Sequence, residues 1–419
     1  MSMPAQRITV LSGLSIALSL AAAAAWANPV PLGGKFSVSS CGDCRKEAPV
    51  VAGTPSGRFL VVWQGASTLT PRVGDVPARL FAPSGAPRTR DFLLDPRTNL
   101  QQYDAAVAAD PQSGYVAAWS AVAGGNSDVF AQRFSQLGAR LGPAIQVNVD
   151  APAASPPPID ASPAVAKFAN GGFVAVWIRL APAGKGDPPE VLARRFNAAG
   201  APLGPPIQLN SGLASGDRPA VCVDSFGRPV AVWTSVDGFF PFEPSKKGVS
   251  ARRLSVGGVP LGSGETVIAA PENDDSAADI SCGPGGSFAV AWQSDQTPAV
   301  ARADILARRF NRFGVPIGGT ILVNTKTDGE QKSPAIAHDP AGNFVVVWES
   351  DAGALPSVSG RRFAANGTAS GPEFTVATLA DSLPAKPDVA TLGGIGGVGN
   401  FVVVWRDGVA GLFGQRFSP

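Results

Sequence analysis

Seven times along the chain a short, unbroken apolar run ends in tryptophan, as in Phe344-Val345-Val346-Val347-Trp348 and again in Phe401-Val402-Val403-Val404-Trp405. Strict alternation of apolar and polar positions would leave one face of a strand in water. A continuous run asks for cover on both faces. The runs are five or six residues long, rich in β-branched side chains and closed by Gly, which predicts strands and not helix. The tryptophans stand at 63, 119, 177, 233, 292, 348 and 405, with spacings of 56, 58, 56, 59, 56 and 57 residues, so the chain is a sevenfold repeat.

Three further strands are predicted in each repeat. The first is small and apolar: "APVVA" (48–52), "DAAVA" (104–108), "SPAVA" (162–166), "RPAVC" (218–222), "SPAIA" (333–337). A tight turn such as Asp339-Pro340-Ala341-Gly342 leads into the tryptophan strand, with Gly supplying the positive φ the turn needs. The third strand ends in Arg-Phe, as in "ARRF" (193–196 and 307–310), and the fourth reads "IQLN" (207–210) or "ILVN" (321–324).

Four-stranded units buried on both faces suit radial stacking. The expectation is an all-β, seven-bladed β-propeller of four-stranded antiparallel blades. The small first strands would be innermost, where blades crowd. The chain ends on a third strand, "GQRFSP", while "GKFSVSS" (34–40) matches a fourth. The N-terminal strand is thus expected to complete the last blade and close the ring, leaving no open blade face or unpaired edge. The pattern FVVVW…RRF…G-x-PLG…VN resembles exported bacterial β-propeller repeat proteins over essentially all of 33–419. That resemblance implies the fold and an exported or surface compartment, and carries over no catalytic residue.

Composition narrows the function classes. Only 16% of the 419 residues are charged, the net charge is +2, and no basic stripe of the kind nucleic acid requires is present. Arg7, the apolar run Ile8–Ala25 and the small-x-small triplet Ala25-Trp26-Ala27 read as a signal peptide over 1–27, with the propeller over 28–419. No second run approaches the roughly 20 apolar residues of a membrane span. A secreted, periplasmic or cell-surface monomer is expected.

Candidate chemistry is sparse. The single His, His338, argues against both a Ser-His-Asp triad and a zinc site with several His. The four cysteines suit disulfides in an exported chain: Cys41 with Cys44 near the N-terminal strand, and Cys222 with Cys282 on adjacent first strands. The latter two differ by one residue in their offset from Trp, which aims them at opposite sheet faces. The Arg before the third-strand Phe recurs at 133, 195, 253, 309, 362 and 416, so it serves the blade. Asp104, Asp160, Asp217, Arg218, Asp279, Lys332, Lys386 and Asp388 flank first strands and are placed at the channel mouth. The acidic turn Glu272-Asn273-Asp274-Asp275 is the one weak calcium candidate; no other cofactor is expected.

Length variation falls between the second and third strands, where Trp-to-Phe distances (to Leu254 in repeat four) run 18, 15, 19, 21, 18, 15 and 12. The longest loop, 234–250, carries Phe239, Phe240 and Phe242 beside Lys246 and Lys247, the candidate contact for a protein or glycan partner. The sequence therefore reads as a non-catalytic binding or scaffold propeller with one loop-rich face. The alternative is a carbohydrate-active enzyme or lectin using the channel mouth.

Overall fold

The computed structural model describes residues 28–42, 44–65, 74–97, 100–110, 114–123, 126–148, 158–180, 188–211, 218–236, 246–270, 273–295, 302–381, 384–393, 399–408 and 411–419. The expected signal peptide, Asp217, Phe239, Phe240, Phe242 and Glu272 lie outside these residues. Among them the chain is all-β, relieved by one short 3₁₀ turn at Pro284–Gly286. No described helix is long and apolar enough to cross a membrane.

Strands pair in order within each tryptophan-centred repeat, antiparallel throughout. Five hydrogen-bonded sheets have four strands, and a sixth has eight. The eight-stranded sheet is two four-stranded meanders, from repeats two and three, joined by a single parallel bridge between Ser127 and Ile159. The strand Phe36–Ser37 pairs with Gly411–Phe417, setting Phe36 opposite Gly414. A Cβ at Gly414 would fall 2.5 Å from the Phe36 ring, so glycine is what lets the ring lie flat there. Phe374 covers Gly360 in repeat six in the same way, at 2.6 Å, so Phe36 stands where a fourth-strand aromatic belongs.

The apolar core lies between sheets, which explains the unbroken runs. Phe344, Val346 and Trp348 pack toward repeat five, against Ala289 and Ala291. Val345 and Val347, from the same strand, pack toward repeat seven, against Val403 and Trp405. The seven repeat tryptophans are all buried. First strands lie against one another in chain order, and Lys46–Gly53 also packs on Asp388–Leu392.

Recurring arginines tie neighbouring repeats together. Arg253 donates to the carbonyls of Phe313 and Arg312, both at 2.6 Å, and Arg133 donates to Ala198. In these two arginines the guanidinium is engaged with backbone carbonyls of the neighbouring repeat.

One disulfide and a buried ion pair clip inner strands together, and another disulfide closes a local loop ahead of the first inner strand. Cys41 joins Cys44, and Cys222 joins Cys282 with Cα atoms 5.6 Å apart. Register explains the second: Cys222 lies opposite Val230 and Cys282 opposite Phe288, one position apart relative to their tryptophans, so the two sulfurs face each other across a sheet interface. The bond closes a 60-residue separation. Cys222→Ala with Cys282→Ala is expected to lower stability by about 2–4 kcal/mol, read as a shifted urea midpoint. At the corresponding depth, Lys167 meets Asp110 at 2.7 Å, each side chain 3% exposed.

Candidate functional site

Among the described residues, five of the seven inner strands begin with a bulge. The register slips between Glu47 and Val50, Tyr103 and Ala106, Ala161 and Ala164, Ser276 and Asp279, and Lys332 and Ala335. Non-glycine residues there take left-handed backbone, with φ of 45° at Ala48, 53° at Asp104, 54° at Ser162, 51° at Ala277, 54° at Ser333 and 43° at Lys386. Such residues are strained. Recurrence in six repeats assigns the strain to the architecture, since a single site would not need it six times. Its effect is to turn each inner strand's first side chains onto the rim of a shared cavity.

That cavity has a volume of about 760 Å³ and is lined by the first strands of all seven repeats, joined by Lys247. A separate cleft at Asp339, Arg362 and Pro419, about 20 Å³, has room for a water at most.

One register position decides the chemistry of the wall. The residue paired opposite the one before each tryptophan is Val50, Ala106, Ala164, Ala220, Asp279, Ala335 or Asp388. Five are small and apolar, and two are carboxylic acids. Both acids are half-buried and open to the cavity. Asp279 accepts from the amide of Ile336 at 2.8 Å, one repeat on. Asp388 accepts from Val51 at 2.7 Å and from its own neighbour Val389 at 2.9 Å. Burial raises the Asp279 pKa to about 6 against these amides. Burial, then the charge of Asp279, raises Asp388 to about 7, with Arg218 acting in the opposite direction. Asp388 thus responds to the charge of Asp279, and both carboxyls hold their protons into the neutral range.

The sign of the pH effect on stability follows. Both carboxyls hold their proton more tightly folded than unfolded, so their neutral forms favour the fold. Stability from these groups is fully present below about pH 4 and falls as pH rises through about 6 and 7. Asp279→Asn and Asp388→Asn should each recover about 1–3 kcal/mol at pH 8 and nothing at pH 3, measured as unfolding midpoints across pH.

The rim pairs other charges. Arg218 reaches from repeat four to repeat two, donating to Asp104 at 3.2 Å and to the carbonyl of Ala105 at 3.2 Å. Ser162 donates to the other Asp104 oxygen at 3.1 Å. Lys386 and Lys247 also line the cavity. Asp104, Arg218, Lys386 and Asp388 are therefore brought together. Two expected mouth residues are not. Asp160 is fully buried, receiving Trp177 Nε1 at 2.9 Å and Arg179 at 2.8 Å. It precedes the bulge, and so it turns into the sheet interface. Lys332 is drawn outward to Glu330.

Asp275, from the acidic turn, does for Trp292 what Asp160 does for Trp177, accepting its indole N–H at 3.0 Å. Among the described residues no group of three or more His, Cys, Asp or Glu is gathered for a metal. His338 ends its strand with its ring 5.4 Å from Phe344, and burial lowers its pKa to about 4, so it stays neutral.

The kinship of Asp279 and Asp388 is hidden in the linear sequence. Six of the seven register positions stand 13 residues before their tryptophan, but Asp388 stands 17 before Trp405, because the turn at 391–400 is longer. Counting alone aligns Asp388 with Asp160, which is a different place.

No protein-family model matches the chain, and no curated protein does. Solved structures do match. A protein of unknown function from Dyadobacter fermentans is 12% identical with a TM-score of 0.53, covering 93% of this chain and 98% of its own. An ulvan lyase from a new family of polysaccharide lyases is 9% identical with a TM-score of 0.54, covering 92% and 96%. A Penicillium chrysogenum α-L-arabinanase, solved with arabinobiose, is 14% identical with a TM-score of 0.51, covering 93% and 98%. At such identity the likeness shows a β-propeller-type fold and nothing finer.

The expectation of a non-catalytic binding or scaffold protein is corrected here. Against it stand the acid pair inside the cavity and the two carbohydrate-active enzymes among the fold matches.

Proposed function

We propose that this chain is an exported, seven-bladed β-propeller, its ring closed through the strand Phe36–Ser37, that acts on carbohydrate at the mouth of its central cavity. The domain limits are those read from the sequence, 28–419 after a signal peptide of 1–27. Two disulfides suit an oxidising compartment. The observation that carries the reading is the carboxyl pair Asp279 and Asp388, set at one depth where the other five repeats place Val or Ala.

Cleavage of a glycosidic link needs one carboxyl to give a proton and another to act ionised. Asp388, titrating near 7, is the donor, and Asp279, titrating near 6, the ionised partner. The cavity lining holds no aromatic side chain among the described residues. Phe239, Phe240 and Phe242, in the loop leading to Lys247, are assigned as the sugar platform.

The test is a screen of the purified protein against plant, algal and bacterial polysaccharides, following chain shortening by reducing ends and by absorbance of unsaturated products. Turnover confined to a bell between roughly pH 6 and 7 is expected. Failure to shorten any glycan, with no glycan binding, sinks the reading.

A further inference from the structure

Asp279 and Asp388 show how this wall holds a carboxylate. Each acid takes an edge amide from the next repeat's inner strand, Ile336 N–H or Val51 N–H. It also takes the amide of the residue that follows it, Ile280 or Val389. The innermost strand of a sheet has one unpaired edge, and along it alternate amides point away from the ladder.

Register extends that arrangement to the other side of the cavity. Val107, Val165 and Val221 pair opposite Ala117, Ala175 and Ala231, as Ile336 pairs opposite Val346. Their amides therefore face the cavity, and all three residues line it. The slots that Asp279 and Asp388 fill in repeats five and seven are here occupied by Ala106, Ala164 and Ala220. Two complete cradles result: Val107 with Val165, and Val165 with Val221. Each has the donors of the acid sites and none of their carboxylates. Above them Arg218 crosses from repeat four to repeat two.

We propose that this arc of edge amides, under Arg218, is a carboxylate subsite, and that the ligand of the cavity is an acidic glycan whose uronate carboxylate takes the place an aspartate holds in repeats five and seven. The substrate class rests on the carbohydrate reading above; the anion site does not. Asp104 offsets part of the Arg218 charge, so selectivity comes mainly from the amides, and Asp104 works against an anionic ligand.

Binding to the full chain is measured by calorimetry with three probes: an oligogalacturonide, its fully methyl-esterified form, and acetate. The free acid should bind roughly 10- to 100-fold more tightly than the ester. Arg218→Gln should reduce that preference by about 2- to 5-fold. Val221→Pro deletes one arc amide at a position outside the ladder, where proline is tolerated, and should do the same. Asp104→Asn should increase it. If Val221→Pro does not fold, the opposite signs of Arg218→Gln and Asp104→Asn still decide. Ester and acid bound equally would overturn the subsite and leave the carbohydrate reading standing. Acetate bound in an Arg218-dependent way with no sugar bound would keep the anion site and overturn the carbohydrate reading. No preference and no effect of any variant overturns the proposal.

Discussion

Asp388→Asn is expected to cut glycan turnover by about 10²- to 10⁴-fold, the usual worth of a positioned proton donor. Asparagine keeps the shape and can still accept from the Val51 amide, so substrate affinity should change little and kcat should carry the loss. The pH profile separates this from structural damage. In the parent protein activity should fall as pH rises through about 7, because Asp388 must be protonated to act. Asp279→Asn removes the neighbouring charge that helps raise Asp388, so its residual activity should fail at lower pH than in the parent. Turnover by Asp388→Asn within a few-fold of the parent, with an unchanged alkaline limb, would show that the acid only caps an edge amide.

Lys167→Ala should destabilise the protein by about 3–5 kcal/mol, because it strips the cation from a buried aspartate. Asp110 and Lys167 join the inner strands of repeats two and three, with side chains 3% exposed at a separation of 2.7 Å. The cost lies in the leftover charge more than in the lost attraction. The pair Asp110→Asn with Lys167→Met removes both charges and should recover most of the loss. Chemical unfolding of the two singles and the double gives the answer. A Lys167→Ala loss below about 1 kcal/mol would mean that water reaches Asp110. Alongside the Cys222–Cys282 bond, this pair shows that neighbouring inner strands are clipped by different chemistry at different interfaces.

Much of the fold was legible because burial writes directly into local pattern. Phe-Val-Val-Val-Trp can be apolar at every position only if both faces of its strand are packed, as Val345 and Trp348 are on opposite sides. The Cys222–Cys282 contact was legible for a related reason, since a one-residue offset inverts the face. Asp160 misled because a bulge lies between it and the cavity-facing residues. A bulge adds a residue without adding length, so parity counted along the sequence fails across it. Lys332 misled for a different reason: a long side chain at a strand's start turns to the nearest carboxylate, here Glu330. The loop aromatics Phe239, Phe240 and Phe242 remain a proposal from sequence alone.

By itself the sequence determined the repeat, its four strands, the both-faced packing of the tryptophan strand and the role of the recurring arginines. These are properties of one unit and its immediate neighbours, set by spacing and hydrophobicity that recur in every copy. Only the tertiary structure decided which residues meet at the centre. Asp279 and Asp388 lie 109 positions apart with different offsets from their tryptophans, and are made equivalent by strand register. Their perturbed acidity comes from burial, with the charge of Asp279 adding to that of Asp388, and one amide holding each acid belongs to another repeat. Those quantities exist only after distant strands have been brought around a common cavity.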